Sequence, residues 1–271
     1  MQSNKNEAYN LNLTLGNGYE TAKPVTLAFT IQDDKDTTYK DFDRSNPIPM
    51  MVTVIRKDRT NFQHVHPGFN QATGTFTINQ FVFPGNGEYR VFASFRGGND
   101  KRGEEATTAY QDVQVGDMSQ YTPQPIGSEQ LTSSANGYDT TIVPYTDDNN
   151  HSLNSTKLMA RQPSTVAIKI SQNGRPVTNL DDFKGSVGRL TAFGLNLEFV
   201  GTNSVSINKN NQSGLMLFNM SFPAAGIYKL YMEVQVNKVV TTFEYTITVN
   251  SSPNVINDRY KPMQNINYLG L

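Results

Sequence analysis

The chain has no cysteine, no tryptophan and only three histidines in 271 residues. Without cysteine there are no disulfides, no thiolate zinc or iron–sulfur sites and no cysteine nucleophile. An excess of one charge is also lacking. Its 23 Lys and Arg stand against 24 Asp and Glu, a formal net charge of -1, which argues against a nucleic-acid or anionic-membrane surface. No stretch approaches the roughly 18 apolar residues needed to cross a bilayer. No window holds a 3.6-residue apolar stripe of helical length. Gly-x-Ser-x-Gly, P-loop and His-Glu-x-x-His sequences are missing too, and three histidines leave little material for a Ser–His–Asp arrangement. The carboxylate pairs Asp33-Asp34 and Asp181-Asp182 fall in turn-like contexts and read as solvated loop charge. The expectation is a protein that does not catalyse.

What is present is written twice. Phe83-Pro84-Gly85-Asn86-Gly87-Glu88-Tyr89-Arg90-Val91-Phe92 returns 139 positions later as Phe222-Pro223-Ala224-Ala225-Gly226-Ile227-Tyr228-Lys229-Leu230-Tyr231. Both read Phe-Pro-x-x-Gly-x-Tyr-basic-aliphatic-aromatic, and a repeat of that order means two copies of one domain. Within each copy the apolar period is two: Val25, Leu27, Phe29 and Ile31 in the first, Val166, Ile168 and Ile170 in the second. Alternation with Asn-Gly and Gly-Gly turn signals is the strand signature. The fold expected is all-β, two tandem immunoglobulin-like antiparallel β-sandwiches of about seven strands each. The expected layout is a polar leader 1–7, a sandwich over 8–116, a linker 117–137, a second sandwich over 138–250 and a tail 251–271. Tyr89 and Tyr228, each after a turn, read either as the tyrosine corner of such folds or as plain core residues.

Two of the three histidines lie in Phe62-Gln63-His64-Val65-His66-Pro67. Residues i and i+2 of a strand face one side, so His64 and His66 have the geometry to share a cation. With Arg56–Asn61 as a hairpin loop, Ile55 pairs with Phe62, Thr53 with His64 and Met51 with His66. That register adds the Met51 thioether as a third ligand, a soft set compatible with Cu(I). A solvent-facing pair that binds nothing is the competing reading.

Met50–Asp58, Phe62–Pro67 and Phe83–Phe95 resemble a group of bacterial secreted proteins and lipoproteins with a Phe-x-His-x-His-Pro signature in tandem immunoglobulin-like domains. The resemblance implies an envelope protein associated with metal handling. It also implies a His where this chain has Met51, and an acidic residue near Ser94. In the second copy the signature becomes Phe199-Val200-Gly201-Thr202-Asn203-Ser204, without either histidine, and Arg189 stands at the upstream position. The function expected is therefore an extracytoplasmic, non-enzymatic envelope protein that binds a transition metal (Cu or Zn) weakly at His64, His66 and Met51. Its export signal, with a lipid-bearing Cys, would precede Gln2. The alternative is an adhesion or interaction module for a protein or glycan partner. Neither a nucleic-acid partner nor a transmembrane segment is expected.

Overall fold

Alternating apolar and polar residues pair mainly as antiparallel strands in the computed structural model, which describes residues 9–14, 18–43, 49–98, 106–146, 152–153, 158–182, 186–205 and 213–252. It divides into two compact units, Met1–Pro125 and Ile126–Leu271. The leader, His151, the Asp147–Asn150 loop tip, Asn99–Glu105 and the tail from 253 onward lie outside the described residues.

The first unit runs β1 (Tyr9–Leu13), β2 (Pro24–Asp33), β3 (Met50–Arg56), β4 (Gln63–Val65), β5 (Gly68–Asn70), β6 (Thr75–Val82), β7 (Gly87–Phe95) and β8 (Thr107–Val115). One sheet has the order β1-β2-β6-β5 and the other β4-β3-β7-β8. Leu11, Leu27, Phe29 and Ile31 from the first meet Val52, Val54, Val91 and Phe95 from the second in one buried cluster. These are the residues that alternation points inward.

The second unit begins with β9 (Thr132–Ala135), β10 (Tyr138–Ile142), β11 (Tyr145–Thr146), β12 (Ser152–Leu153) and β13 (Leu158–Met159). It continues with β14 (Pro163–Gln172), β15 (Arg175–Pro176), β16 (Gly188–Phe193), β17 (Phe199–Val205), β18 (Leu215–Ser221), β19 (Gly226–Val236) and β20 (Val239–Asn250). Its sheets are β15-β14-β10-β9, with β18 also on β14, and β13-β20-β19-β16-β17. Strand β9 lies inside the stretch expected to be a linker. Asn136 and Gly137, at φ 51° and 78°, form the two-residue turn that pairs it with β10, because Asn-Gly tolerates left-handed backbone at both positions.

The repeat extends further than its motif. Tyr19 pairs in parallel with Val115, and Leu158 with Val249 likewise. Three residues on, the Ala22 N–H donates to the Phe83 carbonyl and the Arg161 N–H to the Phe222 carbonyl, at 2.8 and 2.7 Å. In each unit a short segment runs beside the last strand and then turns into the other sheet through a left-handed residue, Ala22 at φ 56° or Arg161 at φ 61°. Left-handed backbone crowds a Cβ, so Ala22→Gly is expected to raise the unfolding free energy by about 0.5–1 kcal/mol. Urea denaturation reads this, and an unchanged midpoint would show the turn to be unstrained.

The copies differ by a bulge. Thr26 Oγ1 lies 3.4 Å from Asn79 Oδ1, and Thr165 Oγ1 lies 3.0 Å from Asn219 Oδ1. From that Asn to the motif Phe, however, the first copy has one residue more. It is taken up at Gln80, φ 56°, where the β2–β6 register shifts between Val25 and Leu27.

Both motif tyrosines form the corner. Tyr89 Oη donates to the Gly85 carbonyl at 2.8 Å and Tyr228 Oη to the Ala224 carbonyl at 2.9 Å. Tyr89 Oη also accepts from Asn61 Nδ2 at 3.0 Å. Burial pushes both phenols above their ordinary value. Tyr228→Phe is expected to cost about 1 kcal/mol and Tyr89→Phe about 1.5 kcal/mol. Equal losses in chemical denaturation would count against a role for Asn61.

Candidate metal centre

Strands β3 and β4 form the hairpin that carries His64 and His66. The ladder pairs Val52 with Val65, Thr53 with His64 and Val54 with Gln63, so Thr53 faces His64 as the spacing predicts. Ile55 and Phe62 do not join it. Arg59 and Asn61 take left-handed backbone at φ 65° and 55°, and the Arg56 N–H turns to the Thr60 carbonyl at 3.0 Å. At the other end Pro67 supplies no N–H and the ladder stops at Val65. Met51 and His66 therefore lie one step beyond the last paired residues.

Val65 packs on the core, which puts His64 and His66 on the opposite face, both half-buried. Their ring centroids are 5.7 Å apart and their planes inclined by 34°. A cation bound at about 2.0–2.1 Å from each nitrogen holds two imidazole centroids roughly 5–6 Å apart. The observed centroid separation lies within that range. His66 Nδ1 lies 3.4 Å from the Met50 carbonyl. With the proton on Nδ1, that contact leaves Nε2 unprotonated.

The face around the pair is buried as well. Met51, Thr53 and Ile55 on β3 are 5%, 1% and 0% exposed. Met51 stands opposite Ser94 on β7, whose hydroxyl lies 2.9 Å from Thr108 Oγ1 on β8. Among the described residues no group of three or more His, Cys, Asp or Glu side chains gathers round one point. On the histidine face the soft Met51 sulfur is thus the candidate third donor.

The second copy shows what replaces the pair. Thr191 pairs with Thr202 as Thr53 pairs with His64, and the two hydroxyls are 2.9 Å apart. Arg189, opposite Ser204 in β17 and Glu233 in β19, holds the position of Met51, and Glu233 that of Ser94. Burial lowers the Arg189 pKa, and the Glu233 and Asp182 charges oppose that shift.

Two carboxylates that sequence reading passed over are built into the first unit. Asp112 on β8 receives Arg90 Nε and Nη2 at 2.6 and 2.9 Å, and Lys57 Nζ at 2.9 Å. The Arg90 guanidinium lies 3.9 Å from the Tyr110 ring centroid. The repeated basic residue after the motif Tyr was the available signal, since Lys229 likewise pairs with Glu244 at 3.2 Å. Asp58, in the β3–β4 turn, is 6% exposed and accepts from Arg56 Nε, Thr60 Oγ1 and the Gln124 N–H at 3.0, 2.7 and 3.0 Å. Burial raises its pKa, but the hydrogen bonds from Gln124, Thr60 and Arg56 outweigh it and hold the carboxyl below its ordinary value.

No curated protein matches the sequence. Among solved structures the chain is similar to the BSP domain of a biofilm-associated protein, at 11% identity and TM-score 0.25, over 91% of this chain and 30% of that one. Invasin, a bacterial integrin-binding protein, matches at 12% identity and TM-score 0.24, over 91% of this chain and 40% of that one. A two-domain fibronectin type III segment of chicken tenascin matches at 9% identity and TM-score 0.25, over 89% and 99%. The chain spans less than half of the first two, and likenesses at these TM-scores carry no functional argument. The sequence itself is decisive: the family model described as Domain of unknown function (DUF8832) matches residues 4–113 and 144–251, and the chain belongs to that family.

Proposed function

We propose that the chain is a non-enzymatic, extracytoplasmic envelope protein whose first sandwich binds a transition-metal ion weakly through His64 and His66, with Met51 as third ligand. The observation that carries the reading is the same-face imidazole pair with centroids 5.7 Å apart; Met51, buried on β3, lies one step beyond the last paired residues of that hairpin. Two imidazoles and a thioether suit Cu(I), and the imidazoles alone suit Zn. The envelope location rests on the resemblance carried by Phe62–Pro67. Among the described residues no helix is long and apolar enough to cross a membrane. The non-enzymatic reading is supported by the buried carboxylates Asp58 and Asp112, whose oxygens are taken up in bonds to neighbouring strands and turns. Calorimetric titration with Cu(I) and with Zn tests the site. The expected result is a binding heat that vanishes in the His64→Ala/His66→Ala double variant, while Met51→Leu weakens Cu(I) more than Zn. Identical heats for the parent and the double variant would overturn it.

The second reading is an interaction module for a protein or glycan, favoured by the tip of the β19–β20 hairpin. There Val239 and Val240 are 55% and 38% exposed, beside a turn held by Asn237 and Lys238 at φ 51° and 66°. Loss of surface binding in Val239→Glu, with metal heats unchanged, would favour this reading.

A further inference from the structure

The stretch after β8 is held to the first sandwich through three of its residues, Asp117, Tyr121 and Gln124. Its Asp117 N–H donates to Asn86 Oδ1 at 3.3 Å. Met118–Gln120 form a single 3-10 turn, capped by the Asp117 carboxylate on the Ser119 N–H. The Tyr121 ring then receives the Arg56 guanidinium at 5.2 Å from its centroid. It also fills the space over Gly87, where a Cβ would come within 2.9 Å of the ring. Finally the Gln124 N–H reaches Asp58 Oδ2 at 3.0 Å. The other oxygen of Asp58 serves the hairpin, taking Arg56 Nε at 3.0 Å and Thr60 Oγ1 at 2.7 Å. The Asp58 side chain is 1% exposed, so one buried carboxylate ties the β3–β4 turn to a residue 66 positions along. On the far side, Glu129 Oε1 accepts from the Thr248 N–H and Gln130 exchanges both backbone bonds with Thr246 at 2.8 and 3.0 Å. Those residues belong to the second unit.

The geometry points to Asp58 as a latch: residues 117–124 are a strap fastened to the first sandwich, and the connection free to bend is confined to Pro125–Ser128. The Phe-Pro-x-x-Gly motif has a part in this beyond the corner, because Gly87 is the seat of the Tyr121 ring. A buried carboxylate bonded to charged and backbone donors at once holds more firmly than surface contacts would. The 21-residue linker expected over 117–137 therefore behaves as a short one.

Hydrogen exchange on the full chain tests the latch, with Asp58→Asn and Tyr121→Ala as variants. In Asp58→Asn the Gln124 amide is expected to exchange about tenfold faster or more, and chymotryptic cleavage after Tyr121 to accelerate with it. The amides of Val91 and Ala93 in β7 keep their protection. Tyr121→Ala, which removes a ring outside the core, is expected to speed exchange at Gln124 in the same way. Unchanged exchange at Gln124 in either variant overturns the proposal. If Asp58→Asn unfolds the whole sandwich, so that Gln124 and Val91 exchange together, Tyr121→Ala decides alone by the same criterion.

Discussion

Asp112→Ala is expected to cost the first sandwich about 3 kcal/mol, the lower end of the range for removing one partner of a buried ion pair. The side chains of Asp112 and Arg90 are 8% and 14% exposed, so the guanidinium left behind has little access to water. Its stack on Tyr110 keeps it where it is. Burial pushes the Asp112 carboxyl up, but the hydrogen bonds and charges of Arg90 and Lys57 outweigh it and leave the pKa below the ordinary 3.8. The sign follows. A folded-state pKa below the unfolded one gives stability that is present above the unfolded value and is lost as pH falls through the folded value. Unfolding free energy is therefore expected to drop as pH falls below about 4, partly through Asp112 and partly through Asp58, whose carboxyl is lowered in the same way. Asp112→Asn keeps the shape, removes the charge and flattens part of that acid slope. An acid limb equally steep in Asp112→Asn would show that other carboxylates set it. Urea unfolding between pH 2.5 and 7 measures both quantities.

Much of the fold was legible because burial on one face leaves a period of two. Strand β2 spans Pro24–Asp33, around the alternating Val25, Leu27, Phe29 and Ile31, and those last three are fully buried. Strand β3 was legible only as an apolar run. Six of its seven residues are buried, on both faces, and alternation vanishes when neither face meets water. The register of the histidine hairpin was half legible. Thr53 against His64 follows from the loop length, whereas the left-handed residues that keep Phe62 out of the ladder leave no such trace. The bulge at Gln80 does leave a trace, since the buried positions step from Phe76 and Ile78 to Phe81 and Phe83 and so break the period of two.

The polar architecture was mostly illegible. Arg56-Lys57-Asp58-Arg59-Thr60 reads as a solvated turn, yet Asp58 is buried because the N–H of Gln124 comes to it from 66 residues away. No local rule foresees a partner that distant. Asp112 looked like one charge in a strand, and only the register, Arg90 opposite Asp112, makes it a pair. That His64 and His66 share one face was legible, because two histidines two residues apart need only a strand to meet. The pairing expected between Met51 and His66 is not part of the ladder, which ends at Val52 and Val65.

The largest loss is expected at the first residue of the repeated motif. Phe83 and Phe222 are both 0% exposed, and their carbonyls receive the N–H groups of Ala22 and Arg161 where the chain changes sheets. Phe83 has rings at centroid distances of 5.2 Å (Tyr19), 4.8 Å (Phe81) and 5.0 Å (Tyr89), and Phe222 has Tyr228 at 4.9 Å. Truncating a buried Phe to Ala costs about 3–5 kcal/mol, through lost burial and the cavity left behind. The greater number of ring partners puts Phe83→Ala near the upper end and Phe222→Ala near the lower. Against a native margin of about 5–15 kcal/mol for a domain, either change consumes a large share. Hydrogen exchange separates the two. Amides of β2, β6 and β7 lose protection in Phe83→Ala, and those of β14, β18 and β19 in Phe222→Ala. Phe83→Leu refills part of the cavity and recovers part of the loss. If both truncations cost under 1 kcal/mol, the motif is not where these sandwiches are held together. In the first copy the turn would then matter for its outer surface, where Tyr121 sits over Gly87, a seat that Gly226 does not provide in the second.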